Sequence, residues 1–152
     1  MTTINFRPAV RADLEAIVAM YAKDHLGQGR ENPDLPLDQR YVAGFEAVDA
    51  DPNQLLLVAE DAGAVVGTMQ ITFIAGIARL GVWRAQVEAV RVHENRRGSG
   101  LGQEMFEWAI AECRRRGCRL VQLTSDNSRP DAQRFCETLG FSASHVGYKL
   151  AL

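Results

Sequence analysis

The sequence predicts one α/β (α+β) domain: a mixed, mostly antiparallel central sheet flanked by helices, with a single parallel β-α-β unit. Three observations carry this. A length of 152 residues suits one core and leaves little room for a second. Apolar residues alternate between strand and helix periods in the order β-α-α-β-β-β-α-β-α-β. The passage from Trp83 to Thr124 reads as strand, crossover helix, strand, which should be parallel and right-handed, whereas the strands before it are joined as hairpins.

Each element has its own signal. Thr3–Pro8 is a short strand ended by proline. Leu14, Ile17, Val18 and Tyr21 then line one face of a helix. Leu26–Asp38, with two glycines and two prolines, reads as a loop, either a connector or the wall of a binding site. Gln39–Val48 suits a second short helix. Gln54–Glu60 and Ala64–Ile74 are β-prone runs joined by the turn Asp61-Ala62-Gly63. Ala75–Gly81 is a small-residue turn before the strand Trp83–Val92. From Ser99 or Gly100 to Arg116 the helical period returns, with Phe106, Ala109, Ile110 and Cys113 on one face. Arg114, Arg115 and Arg116 complement the dipole in its last turn, and Gly117 stops it. Leu120–Thr124 is a short strand. Pro130–Leu139 is a helix opened by proline and ended at Gly140. Ser144–Leu150 is expected as the last strand.

Composition excludes several classes. A formal charge of −2 gives no overall field favouring nucleic acid or an anionic membrane. Met1–Val10 lacks the apolar core of a signal peptide, and no apolar run approaches bilayer length. Cys113, Cys118 and Cys136 are odd in number and match no zinc spacing, so they read as reduced cytosolic thiols with no metal.

The most informative segment is Val87–Gly102, VEAVRVHENRRGSGLG. A strand runs into Arg97-Gly98-Ser99-Gly100-Leu101-Gly102 and a helix begins at once. Free N–H groups and the positive dipole end at a helix start attract anions. Glycine admits a ligand close to the backbone, and an arginine adds a planar donor fork. The implied ligand is a phosphate or pyrophosphate. A plain glycine-rich connection is the bland alternative. A dinucleotide fingerprint needs G-x-G-x-x-G early in the fold, and this is G-x-G-x-G late in it; a Walker loop needs Gly-Lys-Ser/Thr, which is absent.

Arg97, Gly100 and Gly102 form R-x-x-G-x-G, which resembles the pyrophosphate loop of the GNAT acetyltransferases, and Val87-x-x-Val90-x-Val92 resembles that family's fourth strand. Phe6-Arg7-Pro8-Ala9 with Ala12-Asp13-Leu14, Ala64-Val65-Val66-Gly67, and Ala132-x-x-Phe135-Cys136-x-x-x-Gly140-Phe141 are similar to further family motifs in the same order. The resemblance covers nearly the whole chain and implies the GNAT fold as one domain over residues 1–152.

It also implies acetyl-CoA as co-substrate, lying where the fourth and fifth strands part. Arg97, Gly98, Ser99, Gly100, Leu101 and Gly102 would hold its pyrophosphate. Val90, Arg91 and Val92 would pair with its pantetheine arm, with Arg129 and Phe135 beside it. A strand N–H would polarise the thioester carbonyl, and an amine would attack directly. Glu88 is the expected base, acting through a water; the alternative is a structural pairing with Arg91 or Arg84. Cys136 stands where many family members carry the tyrosine that protonates the leaving thiolate. Its thiol reaches less far than a phenol, and its roles are general acid, nucleophile or small buried hydrophobe. Tyr148 and His145 are substitute acids. His25 and His93 read as solvated loop histidines.

The resemblance implies an enzyme acting on a primary amine, expected in the cytoplasm; charge and hydropathy point to no nucleic-acid or membrane partner, and dimers are common in the family, so a homodimer is allowed. The C-terminal pattern from Asp131 to His145 is similar to the branch containing the aminoalkylphosphonate N-acetyltransferases, which implies a small amine with an acidic group; Arg30, Arg79 and Arg84 are candidate cations for it that the sequence does not place. Glu31, Asp34 and Asp38 suit a cationic substrate instead. The alternatives are a protein amine as acceptor and a non-catalytic acyl-CoA-binding regulator.

Overall fold

A computed structural model describes residues 3–152; Met1 and Thr2, which open the stretch read for a leader, lie outside them. Five strands form one sheet in the order β1-β2-β3-β4-β5: β1 Asn5–Pro8, β2 Gln54–Asp61, β3 Ala64–Ile74, β4 Trp83–Val92 and β5 Cys118–Leu123. The first four pair antiparallel and β5 joins β4 in parallel. The sequence order explains this. β2 and β3 are consecutive runs separated by Ala62 and Gly63, both at positive φ (49° and 83°), as a two-residue hairpin turn requires. β4 and β5 are separated by a long helix, which carries the chain back to the same end of the sheet.

Helices cover both faces. On one lies α4, Leu101–Arg115, whose Leu101, Met105, Phe106, Ala109 and Cys113 are buried against Leu57, Met69, Ile71, Ala85 and Val87. Met105 crosses directly over Gly67, where any Cβ would sit 2.7 Å from its sulfur, so the glycine sets how closely helix and sheet approach. On the other face lie α1 (Leu14–Lys23) and α2 (Gln39–Ala50), which bury Leu14, Ile17, Val18 and Phe45 with Val58. The buried Asp13 ties the start of this layer to β1, accepting from Arg7 at 2.7 Å and from the Val10 N–H at 2.7 Å.

Two regions differ from expectation. The turn after β3 contains α3, a four-residue element over Ala78–Gly81 in which Arg79 (φ 56°) and Leu80 (φ 62°) are left-handed. The last strand, expected over Ser144–Leu150, does not form: α5 (Pro130–Thr138) is followed by residues without regular structure. A strand exists only with a partner for its backbone, and this segment enters no ladder, so Val146, Tyr148 and Leu150 are left 76%, 92% and 85% exposed. Fold class and element order otherwise match the sequence reading.

Candidate active site

The site is built where β4 and β5 separate. Their pairing runs from Trp83↔Cys118 to Val87↔Leu123 and stops, so from Glu88 onward β4 has no neighbour on that edge. On its other edge β4 remains paired to β3, but the register shifts between Gln70↔Glu88 and Thr68↔Arg91. Two residues of β4, Ala89 and Val90, therefore face one of β3, Met69, a β-bulge, and Ala89 takes φ 53° within it. The bulge has a chemical consequence. Residues three apart on a regular strand face opposite ways, yet Glu88 and Arg91 oppose Gln70 and Thr68, which share a face. Glu88 and Arg91 thus project together toward α1, while Val90 and Val92 pack toward the α4 side.

Glu88 is exposed and enters no ion pair among the described residues. It makes no pair with Arg91 or Arg84, the structural alternative read from the sequence. Arg91 turns instead to Asp24, 67 residues away, donating from Nη2 at 3.2 Å, and its guanidinium lies 5.7 Å from the centre of the Tyr21 ring. Burial pushes the Tyr21 phenol up to about 12, while the positive charge of Arg91 opposes the shift.

Beyond β4 comes the glycine loop. A 3₁₀ turn, Glu94–Arg96, leads to Gly98 (φ 76°) and Gly100 (φ 88°), and α4 begins at Leu101 with no side chain capping its N–H groups. No atom lies within 4 Å of the place a Cβ would take on either glycine, so the loop backbone faces open space. It is nonetheless anchored: Arg96 pairs with the buried Asp61 of the hairpin turn, the His93 N–H donates to Val66 at 2.8 Å, and Ser99 Oγ donates to the Arg96 carbonyl at 2.6 Å. Arg97 is exposed beside the free helix start. Phe135 of α5 touches the same corner. It stacks edge-on against Phe106 at 5.9 Å, and its ring tip is 3.5 Å from the Cβ position of Gly102.

The remaining candidates fall outside this corner or into other work. Arg129, at the start of α5, bonds to Asp24. Burial pushes the Cys136 thiol up, with Glu137 adding to the shift, which is opposite to what a nucleophilic thiolate needs. Tyr148 and His145 belong to the exposed tail; the only side-chain bond there joins His145 to Ser144 at 2.7 Å, among the described residues. Glu31 accepts from Tyr41 Oη at 2.7 Å and Asp38 caps α2 through the Arg40 N–H at 2.9 Å, so both acids serve the loop itself. Arg79 sits in the left-handed turn after β3. Asp24 and Tyr21 are the residues that sequence reasoning missed as site components, since nothing local marks the contacts of Asp24 67 and 105 residues away or that of Tyr21 with Arg91. Among the described residues no group of His, Cys, Asp or Glu is arranged to hold a metal, and no helix is long and apolar enough to cross a membrane.

Comparison with known proteins agrees with this architecture. Residues 14–141 match the model of the acetyltransferase (GNAT) family. The chain is 30% identical over 114 residues to the aminoalkylphosphonate N-acetyltransferase of Salmonella typhimurium, covering 75% of this chain and 73% of that one. The crystal structure of a transcriptional regulator from Bacillus halodurans C-125 is 44% identical and superposes with a TM-score of 0.96 over 99% of this chain and 100% of that one. Glucosamine-6-phosphate N-acetyltransferase from Arabidopsis thaliana, 20% identical, shares the fold with a TM-score of 0.79 over 98% of each chain. A parted strand pair beside a glycine-rich helix start, inside a chain whose residues 14–141 match the family model, places the chain in the GNAT acetyltransferase family.

Proposed function

We propose that the chain is an N-acetyltransferase that moves an acetyl group from acetyl-CoA to the primary amine of a small molecule by direct attack. The observation that carries this is the free edge of β4 leading straight into an uncapped helix start. The pieces fit a long thioester with a pyrophosphate: open backbone at Gly98 and Gly100 with Arg97 for the anion, unpaired strand at Val90–Val92 for an extended amide arm, and Phe135 alongside. An alkylamine of pKa about 10.4 is almost wholly protonated at pH 7, and freeing it costs roughly 4–5 kcal/mol. Glu88, exposed on the face toward α1 and bound to no cation, is available to take that proton through a water. The S. typhimurium relative points to an aminoalkyl acid as the acceptor class. Three free thiols suit a reducing compartment, the cytoplasm.

A second reading is a regulator that binds acyl-CoA without turnover. It is favoured by the B. halodurans relative and by Cys136 in place of a phenolic acid. Release of free CoA thiol from acetyl-CoA over a panel of amines separates the two. Turnover with any amine supports the enzyme; tight acetyl-CoA binding with no release across the panel supports the regulator.

A homodimer is part of the proposal. Val146, Tyr148, Leu150 and Leu152 alternate along an exposed, unladdered tail, the pattern of a strand awaiting a sheet, and β5 is a sheet edge with one free side. Light scattering of the full chain and of a chain ended at Ala143 tests it: a dimer that becomes a monomer supports exchange of this tail, and a monomeric full chain rejects it.

A further inference from the structure

Asp24, the residue after α1, is 12% exposed in its side chain and accepts from two arginines at once, Arg91 of β4 and Arg129 before α5. One carboxylate cannot neutralise two guanidiniums, so the cluster carries a surplus positive charge in a partly buried place. Its donors are not used up. Arg91 spends Nη1 on the Val90 carbonyl at 2.8 Å and Nη2 on Asp24, but its Nε is buried with no partner. An unsatisfied buried donor on a cation is costly unless something occupies it. Arg129 lines an open cavity of about 280 Å³ together with His25, Ser128, Pro130 and Asp131, the last of which is itself paired with Arg134. The bulge puts Arg91 on the same face as Glu88, two β3 positions apart, a spacing of about 7 Å along a strand.

We propose that Arg91 and Arg129, held in place by Asp24, form the site for the oxyanion group of the acceptor, so that the substrate is a short primary amine ending in a phosphonate, phosphate or carboxylate. This rests on the acetyltransferase reading above and assigns the residues that would recognise the acid group of its acceptor. The arrangement matches such a molecule: an amine at Glu88 and an acid a few ångströms away at a fork of unspent N–H groups, which suit planar or tetrahedral oxyanions. The glycine loop is a separate anion site, made of backbone at the far end of β4, whereas the arginines lie on the face toward α1. Of the cations the sequence suggests, Arg79 stands in the turn after β3, away from the bulge, and Arg30 approaches its own neighbour Glu31 at 3.9 Å.

The test compares 2-aminoethylphosphonate with propylamine, which has a similar length and no acid. In Arg129→Gln the ratio of kcat/KM for the two amines should fall at least 10-fold toward unity, and Arg129→Lys should restore part of it. Damage to the fold or to acetyl-CoA binding lowers both amines together and leaves the ratio, so an unchanged ratio overturns the proposal. If the wild-type chain turns over neither amine, calorimetry with methylphosphonate still decides. Binding that Arg129→Gln loses supports the oxyanion site independently of the acetyltransferase reading, which the amine panel decides, and binding that is absent from wild type or unaffected by the variant overturns it.

Discussion

Trp83–Val87 and Glu88–Val92 are halves of one strand with the same β3 neighbour, yet they live in different surroundings. The first half is flanked on both edges, and its Ala85 and Val87 are sealed under α4. The second has lost its β5 neighbour, carries a bulge with a left-handed Ala89, and offers a free edge, an exposed carboxylate and a half-buried arginine. Pairing on both edges leaves a strand nothing to offer a ligand, because every backbone group is already bonded. Chemistry begins where one ladder stops. The sealed half fixes the position of the open one, so the two should respond to substitution in opposite currencies, stability in one and activity in the other.

The harshest way to break that contrast is at the loop that ends the open half. Gly100→Val forces a branched residue into φ 88°, a strain of about 1–3 kcal/mol, and puts bulk where the loop backbone is bare. Calorimetry should show acetyl-CoA affinity at least 100-fold weaker in a chain that still folds; undiminished affinity would move the cofactor elsewhere. Next comes Glu88→Gln. Near pH 7 kcat/KM should drop by roughly 100-fold, with the melting temperature within about 2 °C because the side chain is exposed and unpaired. The loss should shrink as pH climbs toward the pKa of the amine, where solvent supplies the free base; a deficit independent of pH would assign Glu88 to positioning.

One residue back the expected outcome reverses. Val87 is 2% exposed, and Val87→Ala should cost about 2–3 kcal/mol in chemical denaturation, while kcat/KM of the folded fraction changes less than about 3-fold. A comparable activity loss there would show that the two halves are not separable. The smallest effect is expected at Cys136. Its thiol is pushed upward by burial, so Cys136→Ala should keep at least a tenth of kcat, a barrier change under roughly 1.4 kcal/mol. An acetyl adduct on Cys136 in intact-mass spectra, discharged by amine, together with a dead alanine variant, would replace direct attack by a two-step transfer.

What the sequence could announce was local. β3 and β4 have the bounds that apolar patterning suggests, and α4 starts at the glycines and stops before Gly117, because period, caps and turn residues act within a few positions. The bulge at Ala89 had no such sign; alanine is an unusual choice for positive φ, and the register shift that reorients Glu88 and Arg91 is set by β3 across the ladder. The Asp24 cluster was invisible for the same reason, being assembled from a helix end, a strand and a loop far apart in the chain. The tail misled in the other direction: Val146, Tyr148 and Leu150 have the alternation of a strand, but alternation states what a segment would do with a partner, not that it has one.

The bond between Arg96 and the buried Asp61 gives the hairpin turn a hold on a loop 35 residues further along the chain. A loop tethered in this way has few shapes to give up when an anion docks, so the entropy of ordering is largely absent from its affinity. Ligand residence there should then depend on the bonds broken on leaving rather than on melting of the loop. The turn at Ala62-Gly63, remote from any reacting atom, becomes a lever: a residue inserted into it would slacken the tether, and its signature would be a faster off-rate with little change in the encounter rate.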